Sequence, residues 1–335
     1  MVNLTRELLL SLLATAALTV SCSGQDKKDK SVFSANHAQL ELKVSPSFRF
    51  VAFGDTRFHD PSDTEPANPA IRHALVAAID KENPAFVSIG GDVVYNGADG
   101  NDWKVWDSET EVWREHKITI FPAIGNHDLK GDVQGALGNY FERFPELGQS
   151  RYYSVHIGNT LMLVLDSALD ELSGPQGEWL HSQLDRVPAS TDFVFFVFHH
   201  PPYTSSSDEK VFGGGHSARS SEEALAKFIE ERQQLSRARF IVFNGHVHNY
   251  ERHEHGGITY FVTGGGGAHP YPIQRHADDL YKDPGINFHY LLAEVDHNRV
   301  TVTMHKVEIK DGKEVWSTPD SVTITAPVAL PASAN

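Results

Sequence analysis

The chain has a single cysteine, Cys22, among 335 residues, so no disulfide can form within it. Stability has to come from packing or from bound ions. Its N-terminal apolar run, Leu8 to Val20, is short for a membrane span and has the length of a signal-peptide core. Positive charge is scarce: 29 Lys and Arg face 44 Asp and Glu, a formal net charge of -15. That balance excludes a nucleic-acid backbone as the main partner, because phosphate chains need clustered Lys and Arg. Small phosphorylated compounds stay open, since bound cations would reverse the field locally.

What is present starts with the N-terminus. Arg6 precedes the apolar run, and Thr19-Val20-Ser21-Cys22 resembles a bacterial lipobox, with Thr19 departing from its usual Leu or Val. On that reading residues 1–22 are a signal peptide and Cys22 carries lipid. Residues 23–45, rich in Asp and Lys, are a polar tether, 46–310 a catalytic domain, and 311–335 a C-terminal strand and loose tail. The protein would then be exported, to periplasm or cell surface, and meet membrane only through its anchor. The competing reading is a buried amphipathic helix with an incidental core cysteine.

Beyond Pro46, strands and helices alternate. Phe48 to Phe53, Ala85 to Ile89, Ile118 to Ile124, Phe193 to Phe198 and Phe240 to Phe243 read as strands. Pro69 to Lys81, Trp103 to His116, Glu178 to Leu184 and Glu222 to Leu235 read as helices. Two hairpins are expected, around Gly158-Asn159 and His297-Asn298. The alternation predicts an α/β domain with its chemistry in loops at strand ends.

Five of those loops are rich in Gly, Asp, Asn or His: Gly54-Asp55-Thr56-Arg57, Gly91-Asp92-Val93-Val94-Tyr95, Gly125-Asn126-His127-Asp128, His199-His200-Pro201-Pro202-Tyr203, and Gly245-His246-Val247-His248. Each alone is an ordinary turn or helix cap. His246 and His248 are different, because two residues apart on extended chain they point the same way. Together the loops supply carboxylates, an amide oxygen and imidazoles, a mixture suited to paired Zn, Fe or Mn. Nineteen histidines leave ample choice of ligand.

In this order the loops resemble the calcineurin-like metallophosphoesterase superfamily, from about Phe50 to Tyr250. Tyr95, three residues after Asp92, and the continuation Asn249-Tyr250-Glu251-Arg252 are similar to its purple acid phosphatase branch. The resemblance implies a four-layer αββα sandwich of two mixed sheets flanked by helices. It implies two divalent or trivalent metal ions, Fe with Fe, Zn or Mn. Asp55, Asp92, Tyr95 and His248 would hold the first; Asp92 would bridge to the second, completed by Asn126, His199 and His246. His127 would be the general acid, with Asp128 orienting or charging it, and a metal-bound hydroxide would attack a phosphomonoester. A phosphodiesterase and an inactive metal-binding surface protein are the alternatives. Oligomeric state has no sequence signal.

Arg57 departs from the family pattern, standing where Gly or a histidine ligand is usual. Permanently protonated, it cannot bind metal. It either clamps the substrate phosphate or pairs with a carboxylate such as Asp60. Tyr95 is then the replacement ligand, or else a packed aromatic. His216, after Gly213-Gly214-Gly215, is expected as a phosphate contact or a surface histidine. The Gly264 to Gly267 run could line the site with N–H groups or be a tight loop, and His269, His276 and His289 carry no motif.

Overall fold

The computed structural model describes residues 37–206 and 216–327. The signal peptide, Cys22, most of the tether, Gly213 to Gly215 and the last eight residues lie outside the described residues.

One sheet holds the parallel strands β2 (Ser47–Phe53), β3 (Phe86–Ile89) and β4 (Thr119–Pro122). It continues antiparallel through β11 (Phe288–Asp296), β12 (Arg299–Lys310) and β13 (Lys313–Ser317), with β14 (Ser321–Thr325) also on β12. The other runs β1 (Gln39–Leu42), β5 (Tyr153–Ile157), β6 (Thr160–Val164), β7 (Phe193–Phe198), β8 (Arg239–Asn244), β10 (Ile258–Thr263), β9 (Tyr250–His255). Two mixed sheets with flanking helices make the expected four-layer sandwich.

Strand β7, Phe-Val-Phe-Phe-Val-Phe, shows how the layers arise. With no polar residue at either parity it must be covered on both faces. Phe193, Phe195 and Val197 join the core between the sheets. Val194, Phe196 and Phe198 join a second core under helices α5 (Gly174–Asp185) and α6 (Ser220–Leu235), with Leu180, Leu225 and Ile229. Across the central layer Phe50 packs on Phe195 and Phe243, with ring centroids 5.1 and 5.9 Å apart. Phe53, of opposite parity, meets Trp113 on the outer face. Each fully buried Phe contributes about 1.5–3 kcal/mol.

Helix α1 (Pro69–Glu82) starts with Asn68 accepting from the Ile71 N–H and Pro69 in its first turn; it ends at Asn83 in the left-handed region. The helix expected over 103–116 is two, α2 (Gly100–Glu109) and α3 (Glu111–Glu115). They part at Thr110, whose hydroxyl bonds back to the Trp106 carbonyl. Helix α4 (Val133–Arg143), capped by Asp132, has no counterpart in the sequence reading because its glycines blur the period. The tether is also shorter than expected. Gln39–Leu42 is strand β1 on the edge of a sheet.

Candidate metal centre

Asp55, Asp92 and Asn126 follow β2, β3 and β4, and His199 and His246 follow β7 and β8. Both sheets therefore deliver their motif loops to one end of the sandwich. The loops lie backbone to backbone: the Asp55 N–H bonds the Gly91 carbonyl at 3.0 Å, and the Gly245 N–H bonds the His199 carbonyl at 3.0 Å. Glycine is required where they touch. A Cβ on Gly125 would fall 2.3 Å from Asp92 Oδ1, and Gly91, at φ +95°, would meet the His199 ring at 2.6 Å. Asp55, Arg57, Asp92 and His246 are themselves left-handed, at φ 59°, 44°, 53° and 69°. Such backbones cost about 1 kcal/mol or more each and persist where the surroundings over-determine them.

Two donor groups result. In the first, Asp55 Oδ1 and His248 Nε2 lie 3.6 Å apart, both buried and both without a hydrogen-bond partner, with Asp92 completing the set. His248 Nδ1–H donates to the His269 carbonyl at 2.7 Å, which leaves Nε2 as a lone pair aimed at Asp55. In the second, His199 Nε2 is 3.0 Å from Asn126 Oδ1, 3.2 Å from His246 Nδ1 and 3.4 Å from Asp92 Oδ1. His199 Nδ1–H donates to the Gly90 carbonyl at 2.9 Å, so its Nε2 is again an acceptor facing acceptors. Lone pairs converging this way repel unless a cation lies among them. The donor sets fit two cations that share Asp92.

Electrostatics agree. Burial, then repulsion from Asp92, raises the Asp55 carboxyl well above its usual range. Burial would raise Asp92 too, but the positive field of its neighbours, the Arg57 guanidinium included, outweighs it and holds that carboxylate ionised. Burial lowers His199, His246 and His248, and neutral imidazole is the form that binds metal.

The remaining expected residues divide. Arg57 donates Nε and Nη2 to Asp92 Oδ2 at 3.2 and 3.0 Å; Asp60 instead accepts from Ser62. Pairing with Asp60 is thus replaced by pairing with the shared carboxylate. Tyr95 is not joined to the expected ligands by a hydrogen bond. Its ring lies beside His127 and His59 with Lys130 Nζ 3.6 Å over its face, and no hydrogen bond within the donor groups involves its hydroxyl. Asp128, expected to orient His127, accepts from the Val93, Val94 and Gly125 N–H groups at 2.9, 3.3 and 2.9 Å. The ring of His127 is held by the Tyr95 carbonyl, which accepts from Nδ1–H at 2.7 Å. His216 lies over the His246 and His248 rings, at 4.6 and 5.5 Å, and burial lowers it to about 4.

Several contributors carried no sequence signal. The His269 carbonyl and the Tyr271 hydroxyl, which accepts from the His248 N–H at 3.1 Å, act through one loop whose identity could differ widely. Gly264 and Gly266 serve packing: their N–H groups are taken by Asn249 and Gly54, and a Cβ on Gly264 would strike the Val247 carbonyl.

Residues 48–250 match the family model described as calcineurin-like phosphoesterase, and the chain belongs to that family. Among curated proteins it is 30% identical over 198 residues to purple acid phosphatase 15 of Arabidopsis thaliana, covering 54% of this chain and 35% of that one. It is 28% identical over 182 residues to purple acid phosphatase 1 of Ipomoea batatas, covering 49% and 36%. The chain thus spans little more than a third of these relatives' length. The solved purple acid phosphatase PPD1 of Lupinus luteus superposes with a TM-score of 0.62 at 19% identity, over 86% of this chain and 57% of that one. GAP50, the anchor in the inner membrane complex of Plasmodium, superposes at 0.56 with 17% identity, over 86% and 90%. At such identities both show the fold.

Proposed function

We propose that the protein hydrolyses phosphomonoesters at a dinuclear metal centre. The observation carrying this reading is the pair of donor groups that meet at Asp92, in which Asp55 Oδ1 and His248 Nε2 are buried without a hydrogen-bond partner. Asp55, Asp92 and His248 would hold one cation, and Asp92, Asn126, His199 and His246 the other. The imidazole, carboxylate and amide mixture suits Zn, Mn or Fe. When bound, two such ions neutralise phosphate charge and supply hydroxide near neutral pH.

The chain's own residues do the rest. His127, with Nδ1–H on the Tyr95 carbonyl, would hand a proton to the leaving alkoxide from Nε2 once the ring is protonated, a state that burial disfavours and the Asp92 carboxylate favours. Arg57 is held at Asp92 while that carboxylate needs a counterion, and would turn to a bidentate phosphate contact once cations neutralise Asp92. His216 closes the side above the two imidazoles. A guanidinium beside two cations favours a dianionic monoester over a monoanionic diester. Export with a lipid anchor at Cys22 remains a reading of the N-terminal sequence; among the described residues no helix is long and apolar enough to cross a membrane. The test is turnover of p-nitrophenyl phosphate against its bis-ester on metal-loaded protein. Preference for the bis-ester would make it a diesterase, and no turnover of either would remove the enzymatic reading.

A further inference from the structure

Strand β9 is the edge of its sheet, and it carries two histidines outside the motif loops. His253 and His255, two residues apart, present their side chains on one face. His253 Nδ1 and His255 Nε2 are both buried without a hydrogen-bond partner, and His253 itself is fully buried. Both nitrogens converge on Asp278 Oδ2, at 3.5 and 3.4 Å. Metal–ligand bonds of about 2.1 Å in a tetrahedron put ligand atoms about 3.4 Å apart, which these distances match.

The second ring atoms are arranged as a metal ligand requires. His253 Nε2 lies 3.2 Å from Glu251 Oε2, a carboxylate–histidine pair that fixes the tautomer and leaves Nδ1 as the lone pair. Glu251 is held in turn by the Thr204 hydroxyl and the Ser205 N–H. The His255 ring is stacked on Tyr203, 3.8 Å between centroids and 17° from parallel. The neighbouring acids Glu251 and Asp279 are not themselves a site, because Ser205, Arg275 and Tyr281 already satisfy Asp279.

We infer that His253, His255 and Asp278 form a separate mononuclear site for a borderline divalent cation, Zn2+ in the first instance. Asp278 is half exposed, so water completes the coordination. The consequence is structural. The segment bearing Asp278 already reaches the β9 edge through the Leu280 N–H to the Arg252 carbonyl, at 2.7 Å. A cation would fasten it there and reinforce the cover that this segment already gives the edge. The same loop supplies the His269 carbonyl and Tyr271 hydroxyl that hold His248, so the site braces the main centre from outside.

The test is Zn2+ stoichiometry by equilibrium dialysis followed by metal analysis. The Asp92→Asn, His246→Asn double variant cripples the main centre and is expected to retain one Zn2+ per chain. Adding His255→Ala or Asp278→Asn, both at partly exposed positions, should weaken that equivalent by about tenfold or more. In the otherwise wild-type chain the same single changes should lower the metal count by one, which decides the matter if the double variant does not fold. An isotherm unchanged by both single changes would overturn the site, leaving His253 as a protonated partner of Glu251 and Asp278. This outcome is independent of whether the main centre turns over phosphate.

Discussion

Asp55 Oδ1 and His248 Nε2 face each other at 3.6 Å in the buried end of the sandwich, and neither has a hydrogen-bond donor. Two acceptors so placed destabilise the metal-free fold and favour the metal-loaded one. Asp55→Asn should therefore raise the metal-free melting temperature, by the equivalent of about 1 kcal/mol. The same change should lower kcat/KM on metal-loaded protein by about 100-fold or more, roughly 3 kcal/mol. Calorimetry with and without chelator reads the first effect. Equal shifts in both states would refute a cation between these groups.

Arg57 and Asp92 form a buried ion pair, with the arginine side chain 11% exposed. Removing one partner of such a pair costs about 3 kcal/mol. Arg57→Ala should destabilise the metal-free protein by roughly that amount and the metal-loaded protein much less. If the guanidinium also meets phosphate, kcat/KM on loaded enzyme falls about tenfold or more. An unchanged value would restrict Arg57 to the role of counterion.

Tyr95 has its ring under Lys130 and its hydroxyl outside the ligand hydrogen bonds. Iron-loaded protein should lack a visible tyrosinate band, and Tyr95→Phe should leave both the spectrum and the metal content unchanged. A coloured iron form bleached by Tyr95→Phe would show that the ring moves to the metal.

His127 and Asp128 are adjacent in sequence and opposite in effect. Asp128→Ala orphans three buried N–H groups and should cost roughly 3 kcal/mol by chemical denaturation. His127→Ala should leave stability nearly intact and reduce kcat by about 100-fold or more. Poor leaving groups should suffer more than p-nitrophenolate, which needs no proton.

Glu171 is fully buried near Glu222, and burial followed by that repulsion raises it to about 8. A carboxyl raised in the folded state keeps its proton there while the unfolded chain loses it. Stability is then greatest below the unfolded value near 4.5 and falls as pH rises toward 8, with a slope of at most about 1.4 kcal/mol per pH unit. Glu171→Gln should flatten that slope between pH 5 and 8, measured by urea denaturation across the range. A slope identical to wild type would assign it to other groups.

Much of this was legible along the chain, for a local reason. Apolar runs such as Phe193 to Phe198 admit only a doubly covered strand, and Gly-rich polar loops at their ends mark where the chain turns back. The six residues that converge, Asp55, Asp92, Asn126, His199, His246 and His248, were readable because each lies in one of the five motif loops. Tyr95 carried a motif too, yet spacing says nothing about which way a ring turns. Lys130, from the next loop, lies over its face. The partners of Asp128 were hidden for a similar reason: its Oδ1 accepts from the N–H groups of residues 93 and 94, a pairing that exists only once β3 and β4 lie side by side.

Residue pattern was enough for the alternation of strands and helices and for the donor types, because hydrophobic period and ligand chemistry belong to residues; the four layers followed from the family resemblance of the motif loops. Only the tertiary structure decided which lone pairs face each other and which charges are already spent. The Arg57–Asp92 pair spans 35 residues, and the His246 N–H to Asp55 contact spans 191. Hydrogen bonds over such separations depend on how two sheets meet, and no local pattern encodes that meeting. The same holds for His253, His255 and Asp278, two residues on an edge strand and one on the loop that folds back over it.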